Sequence, residues 1–205
     1  FQMSRQAANH LMGDTSIEER ELDIRREQAP RSEELTPNLR GRSELVQEFS
    51  TTYNVAFLLE ADQPSDSSIL IIGAHYDHLG MGGVHTSSRA RDTVAVHYGA
   101  DDNASGIAAM LEIAEKMAAR EATLRRDVVF LAFGAEEMGL LGSKHLVENP
   151  PFNMAHSLAM INLDMVGRLK NSETLQVGGT GTALEFDSLL KVLTDTGSLK
   201  LQTSP

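Results

Sequence analysis

DVVFLAFGAEE, residues 127–137, is an almost uninterrupted apolar run that ends on two adjacent glutamates. Such runs belong to strands buried on both faces, because a half-solvated strand alternates apolar with polar positions. ILIIGA at 69–74 has the same character and leads into His75-Tyr76-Asp77, and AMINL at 159–163 is a weaker copy that leads into Asp164. TTYNVAFLLEA at 51–61 has the β-branched and aromatic content of a further strand, closed by the turn chemistry of Gln63-Pro64-Ser65-Asp66-Ser67. Between the runs, Ile107, Leu111, Ala114 and Met117 recur at helical spacing within Ala104–Arg120, and Met110 and Met117 read as core packing. Leu140–Glu148 suits a shorter helix stopped by Asn149-Pro150-Pro151. A strand at Glu173–Val177 and a helix around Leu184–Leu193 follow. Strands alternating with helices predict an α/β fold of parallel βαβ units in a doubly wound sheet.

The 205 residues carry 29 acidic and 18 basic side chains, a formal net charge of -11. That balance repels phosphate backbones and anionic lipid and favours cations, so no nucleic-acid partner is expected. The sequence has no cysteine, which excludes disulfides, thiolate nucleophiles and cysteine-ligated zinc. No apolar run approaches the roughly 18 residues of a membrane span, so no membrane insertion is expected. Residues 1–42 intersperse acids and bases with Pro30, Pro37 and Gly41. They read as a connector with a short helix near its start and one exposed helix or edge strand, and the main domain, 43–205, begins near Ser43.

In doubly wound sheets the functional crevice lies beyond the carboxyl ends of the strands. His75 and Asp77, Glu136 and Glu137, and Asp164 all follow strand runs, and Asp101-Asp102 stands just before the long helix within GADDNASG, residues 99–106. A helix start explains one aspartate of that pair, not both. So many carboxylates on one rim require a compensating cation. No lysine or arginine stands next to these acids in the sequence, which leaves a metal, and a mixed His/carboxylate set suits zinc first, with manganese or cobalt as alternatives.

HYD at 75–77, GADDNASG at 99–106, FGAEEMGLLGS at 133–143 and NLDMVGR at 162–168 together resemble the co-catalytic zinc aminopeptidases. That family holds bacterial leucine aminopeptidases, glutamate carboxypeptidase and the transferrin receptor ectodomain. The resemblance implies a three-layer α/β/α fold with a mostly parallel, doubly wound mixed sheet, and an exopeptidase that removes N-terminal residues from peptide substrates. It implies two divalent metal ions, zinc first, a metal-bridging hydroxide and a glutamate general base. Carried over by position, His75 and Asp164 bind one ion, Glu137 the other, and Asp102 bridges both and precedes a cis peptide. Glu136 is the base, Asp77 completes the catalytic set by orienting the His75 ring, and Asp101 is neither bridge nor base.

The resemblance further implies a secreted or periplasmic parent protein, and residues 1–12 resemble the tail of a protease-associated domain. It also implies a last histidine well downstream of Asp164, whereas no histidine follows His156. The second metal site is therefore expected to be incomplete, and the chain to be about the first two-thirds of a peptidase domain. His78 and His85 read as loop residues, a contact one layer out is the lesser of the readings for His97, and Gly80-Met81-Gly82-Gly83 reads as a flexible loop over the site. Two other functions compete with the aminopeptidase: a carboxypeptidase or amidohydrolase with the same rim, and a non-catalytic binding domain that keeps the fold alone.

Overall fold

The computed structural model describes residues 3–13, 16–30, 32, 34, 42, 44–47, 49–83, 86–120, 122–169, 174–196 and 200–205. Ser43, His85 and Glu173, which the sequence reading singled out, lie outside these residues. The chain divides into two compact units, Phe1–Phe49 and Ser50–Pro205. In the first, helices α1 (Arg5–Met12) and α2 (Ile17–Glu27) are both opened by serine. Ser4 accepts a hydrogen bond from the Ala7 N–H, and Ser16 forms a capping box with Glu19. Arg5 pairs with Glu18 at 3.3 Å and Glu21 at 2.7 Å.

In the second unit, strands β1 (Val55–Leu59), β2 (Ile69–His75), β3 (Asp127–Phe133) and β4 (Ser157–Asn162) form one sheet in the order β1-β3-β2-β4. β2 is parallel to β3 and to β4, and β1 is antiparallel to β3. The period-two geometry of β2 and β3 sends alternate side chains into two cores. On one face Ile71, Val129, Leu131 and Phe133 pack with Leu146 of helix α4 (Leu141–Glu148). On the other, Ile72, Ala74, Val128 and Phe130 pack with Met110 of helix α3 (Gly106–Ala118). Helices on both faces of a mostly parallel mixed sheet give the three layers expected. Phe57 stands opposite Phe130 in the β1–β3 register, and their rings stack at 4.6 Å.

Two expectations shift. On α3 Met110 is buried and Ile107, Ala114 and Met117 are half-buried against the same core, whereas Leu111 faces solvent, because the helix presents its Met110 side to β2 and β3. The apolar run AMINL predicts burial on both faces of β4, yet Leu158, Met160 and Ile161 are exposed, since among the described strands β4 bonds only to β2. A separate parallel pair, β5 (Thr174–Val177) and β6 (Lys200–Thr203), is connected through helix α5 (Glu185–Thr196), and β6 carries no strong sequence signal. Among the described residues no helix is long and apolar enough to cross a membrane.

The loops at the amino ends of β2 and β3 are joined by two acids. Asp62 Oδ2 accepts from the Leu124 N–H at 2.7 Å and from Arg120 Nη2 at 2.6 Å. Asp66 holds Ser68 and pairs with Arg126 at 3.2 Å. The Leu124 hydrogen bond, then Arg120, hold the Asp62 carboxyl below its usual value, and the Ser68 hydrogen bonds, then Arg126, do the same for Asp66. A carboxyl depressed on folding stabilises above its unfolded pKa and loses that contribution as pH falls through its lower folded value. The urea midpoint of Asp62→Ala is therefore expected to lie below that of the wild type at pH 7, with the gap closing as pH drops below about 4. Equal midpoints at pH 7 would remove Asp62 from this role.

Candidate metal centre

His75 ends β2 and is buried, with 3% of its surface exposed. Its Nδ1 lies 3.1 Å from the Asp77 carbonyl oxygen and 3.7 Å from Asp77 Oδ1. An N–H on Nδ1 donating to that carbonyl leaves the Nε2 lone pair facing inward. Nε2 then sits 3.2 Å from Asp102 Oδ1, 3.8 Å from Asp164 Oδ2 and 3.9 Å from Glu136 Oε2. The Asp77 carboxylate is mainly engaged elsewhere, accepting from the Glu136 N–H at 3.0 Å and the Glu137 N–H at 3.3 Å. Asp77 thus touches the imidazole most closely through its main chain, and pins the turn after β3 through its side chain.

Ala135 enters that turn at φ 53°, a left-handed backbone that few residues other than glycine adopt. From it the two glutamates diverge. Glu136 goes to the His75 side, while Glu137 Oε1 lies 2.7 Å from His78 Nδ1. His78, read as a loop residue, is thereby brought into the site, with Nδ1 also 3.8 Å from Asp102 Oδ2. Burial pushes the Glu136 carboxyl above its usual range; His75 opposes this, and Glu137, Asp164 and Asp77 reinforce it. His97 sits one layer out, its Nε2 2.9 Å from Ser88 Oγ and its ring edge-on to His78 at 6.0 Å between centroids. The 80–83 segment is tied down, with Gly82 N–H donating to the Ala95 carbonyl and His97 N–H to the Gly80 carbonyl.

The turn Ala100–Ser105 carries Asp102, and the Asp102–Asn103 peptide is cis, as the resemblance implied. Asn103 is 2% exposed. Its Oδ1 accepts from the Gly106 N–H at 3.1 Å and the Met165 N–H at 3.2 Å, and its Nδ2 donates to the Leu163 carbonyl at 2.9 Å. Asp101 turns away from the imidazoles. Its Oδ1 accepts from the Gly167 N–H at 3.0 Å, and its Oδ2 meets Arg168 Nε at 2.8 Å. The expectation that no basic side chain serves the acid pair is corrected here: Arg168 is remote from Asp101 in sequence, and the fold brings the two together.

Two groups of donors result, His75 with Asp102 and Asp164, and His78 with Asp102 and Glu137, their ligand atoms all within 4.8 Å of one another in each group. Tetrahedral zinc with bonds of about 2.0–2.1 Å requires donor atoms roughly 3.3 Å apart. The 3.2 and 3.8 Å separations around His75 Nε2 bracket that edge. The donor chemistry, imidazole plus carboxylate oxygen with the far ring nitrogen of His75 held by a carbonyl, fits zinc. Sequence reasoning underweighted His78 and Arg168 and missed the part played by Asn103. The available signals were the second imidazole in HYDH at 75–78 and the basic end of NLDMVGR; nothing local marks Asn103.

A family model described as peptidase family M28 matches residues 54–203. The chain is 33% identical over 118 residues to aminopeptidase YwaD of Bacillus subtilis, covering 57% of this chain and 22% of that protein. It is 34% identical over 125 residues to an aminopeptidase of Pseudomonas aeruginosa, covering 60% and 20%. A probable zinc metalloprotease of Phaeosphaeria nodorum is 33% identical over 122 residues, covering 57% and 24%. The fold of the present chain is similar to that of BSAP, a zinc aminopeptidase from Bacillus subtilis, with a TM-score of 0.55 and 27% identity over 74% of this chain and 34% of that one. The chain thus spans only about a fifth to a quarter of the length of these sequence relatives.

Replacing Asn103 by alanine strips partners from the Gly106 and Met165 N–H groups and the Leu163 carbonyl. Unsatisfied buried groups cost about 1–3 kcal/mol each, so Asn103→Ala is expected to lower the unfolding free energy by about 2 kcal/mol or more, read from denaturant curves. A smaller loss would mean that water replaces the amide.

Proposed function

The chain belongs to peptidase family M28, and from that premise we propose that it carries the metal-binding and proton-transfer residues of a zinc-dependent aminopeptidase acting on peptides. One observation carries the reading: the two oxygens of Asp102 face different groups, Oδ1 towards His75 Nε2 at 3.2 Å and Oδ2 towards His78 Nδ1 at 3.8 Å. A carboxylate so placed could serve both donor groups, one oxygen to each, were two divalent ions bound. His75, Asp102 and Asp164 would hold one ion, and Asp102 and Glu137 the other. Bound there, divalent ions supply Lewis-acid polarisation of a carbonyl and a water acidified to near neutral pH.

The protein's own contribution is orientation and proton transfer. The Asp77 carbonyl fixes the His75 ring, and the Asp77 carboxylate fixes the backbone of both glutamates. Glu136 faces the same space as His75 Nε2 without belonging to either donor group. Its raised pKa suits a carboxylate that takes a proton from water and returns it to the leaving amine. The relatives named aminopeptidase support a free N-terminus as the recognised end.

Glu136→Gln is expected to keep its zinc, measured by elemental analysis, while hydrolysis of a leucyl anilide falls about 10²–10⁴-fold. Undiminished turnover would take the proton-transfer role from Glu136. Cleavage of the N-acetylated anilide as fast as the free one would remove the aminopeptidase specificity and leave the metal centre standing.

A further inference from the structure

We propose that Asp101 and Ser105 are positioning residues of the metal centre: they fix the chain leaving β4 so that the Asp164 carboxylate stands against His75 Nε2. The inference rests on the metal-centre reading above and concerns the donor group of His75, Asp102 and Asp164. The first two of these donors are anchored where they stand. His75 is buried with its ring against the Asp77 carbonyl, and Asp102 adjoins the buried Asn103. Asp164 has no such support. Its side chain is 44% exposed, and among the described residues no hydrogen bond reaches its carboxylate. The position of Oδ2, 3.8 Å from His75 Nε2, is therefore set by the backbone on either side of it.

Met165 follows Asp164 at φ 50°, a left-handed conformation that persists in a residue other than glycine only where its surroundings hold it. Alternate residues of the 101–105 turn supply the hold. Asn103 Oδ1 accepts from the Met165 N–H at 3.2 Å, Ser105 Oγ from the Val166 N–H at 3.1 Å, and Asp101 Oδ1 from the Gly167 N–H at 3.0 Å. Ser105 Oγ also donates to the Asp101 carbonyl at 2.6 Å, which fixes the two acceptors to one another. Gly167 admits them, since a Cβ there would stand 2.8 Å from Asp101 Oδ1 and 3.0 Å from Ser105 Cβ. The ion pair of Asp101 with Arg168 adds less, because the arginine side chain is 73% exposed and solvent screens the attraction. Neither contact is buried as the Asn103 amide is, so removing one loosens the loop and leaves the core in place.

The test is zinc affinity, by competition with a chromogenic chelator, on wild type, Asp101→Asn, Asp101→Ala and Ser105→Ala, with the urea midpoint of each zinc-free protein measured beside it. Asp101→Ala and Ser105→Ala are expected to weaken the tightest-bound zinc about 10–100-fold, the usual effect of losing a group that orients a ligand. Asp101→Asn keeps an acceptor for the Gly167 N–H and gives up only the charge, so it is expected to bind zinc close to the wild-type affinity. An asparagine variant as weak as the alanine one would make the charge, and not the hydrogen bond, the effective feature and overturn the inference. Alanine variants that hold zinc as tightly as the wild type overturn it too, and a lowered midpoint alongside would assign the contacts to folding alone. If circular dichroism shows Asp101→Ala unfolded, Ser105→Ala, which keeps the carboxylate and removes the Val166 partner, is read in its place with the same expectation. A wild type that takes up no zinc overturns the metal-centre reading together with this inference.

Discussion

The buried amide of Asn103 is the constraint on which the site depends. Its hydrogen bonds to Gly106, Leu163 and Met165 join the start of α3 to the chain leaving β4. Asp102 is its neighbour on one side of that clamp, and Asp164 lies between the two residues it holds on the other. Gly106 permits the closeness, since a Cβ there would overlap both the Leu163 carbonyl and the Asn103 amide. Two carboxylates that repel one another are therefore held together by neutral hydrogen bonds, which do not weaken when the acids ionise.

The acids at the rim divide into those whose charge is already answered and those whose charge is left available. Asp101 is answered by Arg168 and the Gly167 N–H, and Asp77 by the N–H groups of Glu136 and Glu137. Asp102, Asp164 and Glu137 face imidazoles instead. Adjacent aspartates thus do different work: one fastens the turn to the loop after β4, and the other presents both oxygens to the centre. Glu136 and Glu137 diverge in the same way, because the left-handed backbone at Ala135 redirects the chain before them.

Much of this was legible in the sequence because it is local. β3 matches its apolar run from Asp127 to Phe133, and α4 differs from its expected span by a residue at its start. Strand ends place His75, Glu136, Glu137 and Asp164 at one rim, the start of the long helix places Asp102 there, and the fold brings them together. What escaped was set by tertiary pairing. Arg168 finds Asp101 only once β4 has docked, His78 meets Glu137 only across the β2–β3 pair, and the exposure of β4 depends on which strands flank it. Leu111 was misplaced for a subtler reason: helical spacing defines a stripe but not which edge of it faces the sheet.

The parallel arrangement of β2 has a consequence for how the molecule is made. Ile69 pairs with Asp127 on one side and with Ser157 on the other, so every parallel ladder closes a long loop. Such non-local contacts form slowly, after local helices have had time to appear. Until β4 arrives, Asn103 lacks its Leu163 and Met165 partners, and Asp164 is far from Asp102. The repulsion among the carboxylates therefore opposes the docking of β4 against β2, and a cation that relieves it favours that docking.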